Sequence, residues 1–543
     1  MYLFYSTEAQ TSGTSSWNTD KWPSGINSSA GLFETMSEHP TQIQLKTKNN
    51  KIPSWIQGSF YRNGPAIYEW GKTAYKHMFD PNGILQRFEI GNGKVWYNSR
   101  YIRSRNYFGN RDADKIIFPE VGTYAEFDNV THDEHGHKIR NPITVKKNRM
   151  NFNMKYGTSP NTVVTVMPFH GWMLSLTEGL VGHLHDPVSL EIVHELDFKT
   201  SLNIPKGFNI QLLSAHGVID VNDGSWWNSG VGIDQSTRVP GGTSGHFVIK
   251  SKNAVDFNNV FGNKKTPDQI LASIEWSQVL PNDDVLDKNI RYFHMFGATD
   301  KYIVLPLLSV SINPATMLKL MSNAKPMIGA FEYKDVETVY HFFDKQQFKF
   351  IAKKFTAPPS FFAHLVNTFD AENGDVVLDT CLGSNGHVFN LYTFENINST
   401  GATLEQVFES FSPVGTPVTY KFPLSATSNL DADEPVDVKP VKMFKPETSG
   451  NWSCFEKGGF EFPVVDFSSK FGKDYDHFWG AGFGSVMPDR LYHVQKSNKK
   501  RWIFLDEHYS PSEPMFVKSP KAKHGADGVL LSIMTPRNRP DLR

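Results

Sequence analysis

Cysteine is nearly absent from this chain of 543 residues, which contains only Cys381 and Cys454. Two cysteines are too few for the disulfide framework of small secreted proteins or for a four-cysteine zinc site. An excess of one charge sign is also lacking, since 55 basic residues face 56 acidic residues and leave a net charge of −1. Because a nucleic-acid-binding protein needs a basic surface against the phosphates, we expect no nucleic-acid partner.

Long apolar runs and targeting signals are missing as well. The sequence contains no run of 18 apolar residues, so it predicts no membrane-spanning helix. Residues 1–5 carry no basic side chain, and residues 6–16 are polar, which is unlike a secretory signal. Together with the scarcity of cysteine, this predicts a cytoplasmic protein.

Aromatic residues, by contrast, are abundant: 41 Phe, 19 Tyr and 12 Trp, beside only 20% charged residues, allow a large buried core. Short alternating segments bounded by Gly, Asn, Asp or Pro recur along the chain and are typical of β-strands. Examples are residues 94–97, 163–167, 302–305, 375–379 and 501–505. Helical periodicity is limited to short stretches such as 268–275 and 404–411. The pattern predicts an all-β protein, and at this length a β-propeller is favoured over a series of sandwiches.

The two ends of the chain differ from its middle. Residues 1–50 are rich in Ser, Thr and Asn and are predicted to be a partly flexible lead-in, followed by a single domain over residues 51–543. Residues 535–543 are polar and broken by proline, as in a frayed end. A propeller usually closes by pairing a terminal strand with the other end of the chain. No closing strand is evident, so the sequence leaves open an incomplete last blade.

Nineteen histidines raise the question of a metal site. His132, His135 and His137 lie among polar residues, which favours a solvated loop. His183 and His185 share one face of a predicted strand, and a strand that runs into an Asp-Pro turn explains them as well as a metal site does. Neither group predicts a metal centre.

His216, His294 and His364 differ because each lies in an apolar or strand-like context. They are separated by 78 and 70 residues, and the chain length divided by seven blades is about 78. Inner strands of a propeller converge on its axis, so three histidines from different blades can meet there as an imidazole cage. From spacing alone, three separate core histidines remain an alternative.

A series of motifs extends from residue 52 to residue 533. It comprises IPSWIQGSFYRNGP (52–65), HMFD (77–80) with Gly83, YIR (101–103), LTE (176–178), FEFP (460–463), PDR (488–490) and PSEP (511–514). In this order the series resembles the carotenoid cleavage oxygenase family, in the animal branch with the β-carotene oxygenases, the insect carotenoid isomerooxygenase and the vertebrate retinoid isomerase.

The resemblance implies a seven-bladed β-propeller with a helical or loop-built cap over its axis, in which four histidines hold one Fe(II). His216, His294 and His364 match the first three of these ligands. Three glutamates match those that orient the ligand histidines: Glu178, Glu461 and Glu513. Neutral imidazoles suit Fe(II), and a carboxylate on the outer ring nitrogen fixes the tautomer.

The fourth ligand departs from the family pattern. The resemblance places it on a strand after residues 528–533, and residues 534–543 contain no histidine. The last histidine, His524, lies earlier in a basic loop and is expected to face solvent. If the chain ends at residue 543, we expect a site completed by water or a partner, or a loss of activity.

An apolar stretch interrupted by Pro306, Pro314 and Pro326 is the candidate for membrane contact, because the family carries such a segment here. Its predicted lipid-facing residues are Leu305, Leu307, Leu308, Met317, Leu318, Leu320 and Met321. A buried insert is the alternative. Contact with lipid would make the protein peripherally membrane-associated.

The resemblance implies iron-dependent cleavage of a carotenoid double bond by O2, giving apocarotenals such as retinal. The aromatic surplus is consistent with an apolar tunnel for the polyene. Two alternatives share the fold: isomerisation of a retinoid, and non-catalytic binding of a carotenoid or lipid by a truncated propeller.

Overall fold

The structure is a computed structural model, and it is built mainly of β-strands. It describes residues 2–6, 33–46, 52–125, 131–132, 138–139, 159–236, 242–281, 289–323, 325–383, 388–397, 415–425, 434–443, 459–483, 487–506 and 509–536. The predicted helix at 404–411, Cys454, and the residues between His132 and Lys138 lie outside the described residues. The expectation of a mostly-β chain is confirmed.

Strands of two to ten residues make up the first half of the chain. They are β1 (Tyr2–Ser6), β2 (Ile43–Leu45), β3 (Gly58–Ile67), β4 (Glu69–Trp70), β5 (Thr73–Ala74), β6 (Asn82–Gly91), β7 (Lys94–Tyr101), β8 (Thr131–His132), β9 (Lys138–Ile139), β10 (Thr165–Phe169), β11 (Trp172–Leu176), β12 (Val181–His185), β13 (Ile192–Asp197), β14 (Phe208–Leu213), β15 (Val218–Ile219), β16 (Trp226–Asp234), β17 (Thr243–Ser251), β18 (Ile274–Trp276) and β19 (Leu280–Pro281).

The second half continues in the same way. Its strands are β20 (Ile290–Arg291), β21 (Gly297–Ala298), β22 (Tyr302–Leu307), β23 (Val310–Ile312), β24 (Phe331–Tyr333), β25 (Thr338–Asp344), β26 (Lys349–Ala357), β27 (Leu365–Asp370), β28 (Val376–Leu382), β29 (Thr416–Phe422), β30 (Val436–Asp437), β31 (Val441–Lys442), β32 (Phe460–Val464), β33 (His477–Gly482), β34 (Arg490–Gln495), β35 (Lys500–Leu505), β36 (Tyr509–Pro511), β37 (Met515–Lys518), β38 (Gly528–Ser532) and β39 (Met534–Pro536).

Helices are few and short in the described part of the chain. The α-helices are α1 (Arg105–Ala113), α2 (Pro267–Ala272), α3 (Pro314–Ser322), α4 (Val388–Leu391) and α5 (Phe394–Ile397), with 3₁₀ turns at Phe198–Thr200 and Met327–Ala330. The helix predicted at 268–275 corresponds to α2, which begins at a capping box of Thr266 and Gln269. Among the described residues, no helix is both long enough and apolar enough to cross a bilayer.

The strands form separate sheets that follow one another along the chain. Within the described ranges, six sheets have four or more strands: β2-β7-β6-β3, β10-β11-β12-β13, β14-β16-β17-β18 with β15 and β19, β21-β22-β25-β26-β30, β27-β28-β29-β31, and β32-β33-β34-β35. Within them neighbours pair antiparallel, with one exception at β26 and β30. Most neighbours are also consecutive in sequence, so the sheets are built largely from local antiparallel meanders.

The two ends of the chain meet in a further sheet of order β1-β38-β37. Strand β1 pairs antiparallel with β38, from Tyr2 opposite Ser532 to Ser6 opposite Gly528. The sequence analysis did not anticipate this pairing between a strand near the start of the chain and one near its end. The aromatic run at residues 2–5 has high β-propensity, and pairing with β38 covers an edge that would otherwise expose its backbone donors and acceptors.

The predicted membrane-contact stretch divides into two parts. Leu305, Leu307 and Leu308 are at most 2% exposed, so their prediction as lipid-facing residues was wrong. Strand β22 lies between β21 and β25 inside a sheet, where a continuous apolar run is buried on both faces. In α3, Leu318 is 71% exposed. Met317 and Leu320 pack partly against the core, and the side chain of Met321 lies outside the described residues.

Candidate metal centre

Three histidines from three loops that are far apart in the sequence come together at one point. His216 lies in the turn between β14 and β15, His294 between β20 and β21, and His364 immediately before β27. Their ring centroids are 4.6, 5.1 and 5.2 Å apart. One ring nitrogen from each lies within 4.8 Å of the others, so the three imidazoles face a common centre.

The inward-facing atoms are the Nε2 nitrogens of two of these rings. His216 Nε2 and His294 Nε2 are 2.9 Å apart. Each of these histidines uses its Nδ1 atom for an outer partner, as does His364. This division, with one nitrogen inward and the other hydrogen-bonded outward, is the usual arrangement of metal-binding imidazoles.

Glu178, which follows β11, is the outer partner of His294. Its Oε1 atom lies 2.7 Å from His294 Nδ1 and accepts a second hydrogen bond, of 2.9 Å, from the Tyr292 hydroxyl. Burial by itself would raise the pKa of Glu178, but the hydrogen bond and charge of His294 and the Tyr292 hydroxyl hold the pKa below its ordinary value. The carboxylate therefore stays ionised and keeps the proton of His294 on Nδ1.

Glu461, in β32, is the outer partner of His364. Its Oε2 atom lies 2.6 Å from His364 Nδ1. Burial lowers the pKa of His364, but the charge and hydrogen bond of Glu461 outweigh it, so the pKa is raised. The carbonyl oxygen of His364 accepts from the Thr380 hydroxyl at 2.9 Å, which anchors the backbone of this histidine to β28.

His216 has a different outer partner. Its Nδ1 atom lies 3.2 Å from the hydroxyl oxygen of Thr165, at the start of β10. Burial, and then the charges of His294 and His364, lower the pKa of His216 well below its ordinary value. His216 is therefore held as a neutral imidazole, and in the described part of the chain its Nδ1 atom has a hydroxyl partner instead of a carboxylate.

Ser214 joins the two loops that carry His216 and His294. Its hydroxyl donates to the His294 carbonyl at 2.7 Å and accepts from the His216 backbone N–H at 3.1 Å. Gly217 allows the same turn to pack tightly, because a Cβ atom there would lie 2.1 Å from Trp226 Nε1. The sequence analysis missed Ser214, Tyr292 and Thr165. Ser214 and Tyr292 each lie two residues before a predicted ligand histidine, and this proximity was the available signal; Thr165 had none.

Glu513 lies apart from the three histidines' direct partners. Its side chain is 47% exposed and pairs with Arg62, at 2.6 Å between Nη1 and Oε2. The same arginine donates to the Glu513 carbonyl oxygen. The negative charge of Glu513 contributes to the raised pKa of His364. Its predicted role as one of the glutamates that orient the ligand histidines stays a prediction. His524 is exposed, as expected.

His183 and His185 lie elsewhere, buried in β12. The Thr162 hydroxyl lies 2.9 Å from His183 Nδ1, and the Ser175 hydroxyl lies 2.8 Å from His185 Nε2. These contacts agree with the interpretation of both as core histidines of a strand.

A small, partly open cleft borders Glu178 and Tyr292. Its other walls are contributed by residues 212–214, 230–231, 290–291 and 293. This cleft is far smaller than the roughly 300–1,000 Å³ of typical small-molecule sites, so the tunnel for a polyene stays a prediction.

Comparison with known proteins finds similar sequences in one family and among carotenoid-processing enzymes. The sequence model of the family described as "Retinal pigment epithelial membrane protein" matches residues 32–542. The human mitochondrial carotenoid-cleaving dioxygenase is 25% identical over 528 residues, covering 95% of this chain and 85% of its own length. The carotenoid isomerooxygenase of Galleria mellonella is 24% identical, with 94% and 88% covered.

Solved structures agree in fold. A variant of the Synechocystis apocarotenoid oxygenase superimposes with a TM-score of 0.66 at 19% identity, covering 93% of this chain and 89% of its own. A cobalt-substituted form of the same oxygenase gives the same values. At this identity, the likeness establishes the fold alone.

Proposed function

This chain belongs to the retinal pigment epithelial membrane protein family, and on that premise we propose that it cleaves a carotenoid carbon–carbon double bond with dioxygen and iron(II). The products are two apocarotenals, such as retinal, each receiving one oxygen atom. The observation that carries this proposal is the convergence of His216, His294 and His364, with carboxylates on the outer nitrogens of two of them.

The donor set fits a ferrous ion. Three imidazoles that face one point offer neutral nitrogen ligands, which suit iron, and leave room for further ligands. When bound, a ferrous ion supplies the redox chemistry that lets dioxygen react with a double bond. The residues that would hold it are His216, His294 and His364.

The surrounding residues prepare these ligands. Glu178 and Glu461 accept the Nδ1 protons of His294 and His364, so that both inner nitrogens present lone pairs. The ring of Tyr292 packs against Phe331, Phe361 and Phe389, with centroid distances of 5.7, 6.5 and 5.6 Å. These apolar rings exclude water from one side of the centre, which suits a hydrocarbon substrate.

The proposed architecture is a seven-bladed propeller. Successive antiparallel meanders along the chain and the sheet that joins β1 to β38 support it. A ring of this kind explains why histidines 70 or more residues apart in sequence reach one point.

We also propose peripheral contact with a membrane, because a carotenoid is nearly insoluble in water. Leu318 on α3 is 71% exposed and Tyr124 is 53% exposed. Lys325, just beyond α3, lies 4.7 Å from the ring centre of Tyr124, so these groups belong to one region of the surface. Exposed apolar and aromatic groups beside a lysine suit the headgroup layer. Leu318→Glu should weaken co-sedimentation with phosphatidylcholine vesicles.

The activity test uses the purified chain loaded with Fe(II) under anaerobic conditions, then exposed to ¹⁸O₂ and β-carotene or another carotenoid. We expect ¹⁸O-labelled aldehydes, no turnover in His294→Ala, and full turnover in His524→Ala, a matched control at an exposed histidine. A geometric isomer formed without oxygen uptake would indicate a retinoid isomerase reaction instead. Binding without any product, in folded and iron-loaded protein, would overturn the enzymatic proposal.

A further inference from the structure

The outer nitrogen of His216 is the point at which the three histidines differ. His294 and His364 each have a carboxylate oxygen within 2.7 Å of Nδ1. His216 has instead the hydroxyl oxygen of Thr165, at 3.2 Å. Thr165 carries no negative charge and lies outside every motif of the sequence analysis, so nothing in the pattern of the chain points to it.

The proton on His216 decides whether this ring can act as a ligand. A neutral imidazole carries one N–H, and a nitrogen that carries the proton has no lone pair for a metal. Because His216 Nε2 faces the common centre, the ligating tautomer has its proton on Nδ1. That proton needs an acceptor, and the acceptor within hydrogen-bonding distance is the Thr165 hydroxyl oxygen.

We propose that Thr165 is a positioning residue of the metal centre, whose hydroxyl accepts the Nδ1 proton of His216 and holds Nε2 toward the metal. This inference deepens the proposed function and rests on a divalent metal binding to the three histidines. Unlike a carboxylate, a hydroxyl can also donate, so His216 is the least firmly held of the three rings.

Thr165 is well placed for this role by the β10–β11 hairpin. Thr165 pairs with Leu176 across the hairpin, and Glu178 follows two residues later. One rigid hairpin therefore carries the outer partners of both His216 and His294. The side-chain amide of Asn63 donates to the Thr165 carbonyl oxygen at 3.2 Å and ties this strand to β3.

The test measures metal binding without carotenoid. Co(II) affinity is determined by competition with a chelator for the wild-type chain and for Thr165→Val, which keeps the shape but removes the hydroxyl. We expect Thr165→Val to bind roughly 10–100-fold more weakly, with a shifted Co(II) absorption spectrum. Thr165→Ser should restore wild-type affinity and spectrum, and Thr41→Val, at an exposed threonine, should change neither.

Three outcomes would overturn the proposal. One is wild-type affinity and spectrum in Thr165→Val while His216→Ala is impaired, which would leave the proposed function standing. Another is a loss that Thr165→Ser does not restore. The third is a wild-type chain that binds neither Co(II) nor Fe(II), which would remove the proposed function as well. If Thr165→Val does not fold, the same metal-binding measurement on Thr165→Ala decides the test, because this substitution deletes the hydroxyl without adding a contact.

Discussion

Replacing Glu178 with glutamine tests whether its charge, rather than its shape, prepares His294. The side chain accepts two hydrogen bonds at Oε1, from His294 Nδ1 at 2.7 Å and from the Tyr292 hydroxyl at 2.9 Å. Glutamine keeps the size and one acceptor oxygen, but both bonds become neutral. Hydrogen bonds to charged groups contribute about 1.5–3 kcal/mol and neutral ones about 0.5–1.5 kcal/mol.

The loss is therefore about 1 kcal/mol per bond, or about 2 kcal/mol in total. At about 1.4 kcal/mol for each factor of ten, this corresponds to roughly 30-fold weaker metal binding. The assay is an anaerobic Fe(II) or Co(II) titration against a chelator, with Glu372→Gln, at an exposed glutamate, as the matched control. A change of less than about threefold in folded Glu178→Gln would refute the reasoning, since it would mean that the carboxylate charge contributes nothing to the centre.

Other substitutions test separate features. Tyr292→Phe removes one of the two donors to Glu178 and should weaken metal binding several-fold, by less than Glu178→Gln, in the same titration. Gly217→Ala must displace the Trp226 ring, so urea unfolding should show a loss of about 1–3 kcal/mol; unchanged stability would contradict the packing described. Burial raises the pKa of Asp80 to about 7, so its stabilising contribution is complete below about pH 4 and is lost as the pH rises through 7. Asp80→Asn should therefore gain stability over the wild type at pH 8, by at most about 4 kcal/mol, and little at pH 4.

Local patterns in the sequence were enough to predict the class of fold and to single out the three histidines. The segments 94–97, 302–305 and 501–505 lie within strands β7, β22 and β35, because alternation and flanking turn residues act over a few positions. The similar spacings of His216, His294 and His364, 78 and 70 residues, are compatible with one histidine in each of three successive repeats, and this led to the predicted cluster.

The rest of the fold and of the candidate site depends on which segments of the chain meet in space. Leu305 and its neighbours form an apolar run broken by proline, and such a run is compatible with a surface patch or with a buried strand. The strands on either side of β22 show that this run is a buried strand. The pairing of β1 with β38 joins residues more than 520 positions apart, and no local signal predicts it. Thr165 is likewise an ordinary strand residue until the fold brings His216 beside it.

The arrangement of hydrogen bonds indicates that the centre is held in place by the chain itself. Each ligand histidine has an anchor independent of its inner nitrogen: Ser214 links the backbone of His216 to that of His294, and Thr380 fixes the backbone of His364. The side-chain partners come from different elements, so moving one ring would break bonds to a neighbouring sheet. For the proposed metal, a site preorganised in this way avoids the cost of ordering the ligands on binding. We therefore expect the affinity for the proposed metal to depend on the outer partners Glu178, Glu461 and Thr165 as well as on the imidazoles, because those partners determine how each ring is oriented and where its proton resides.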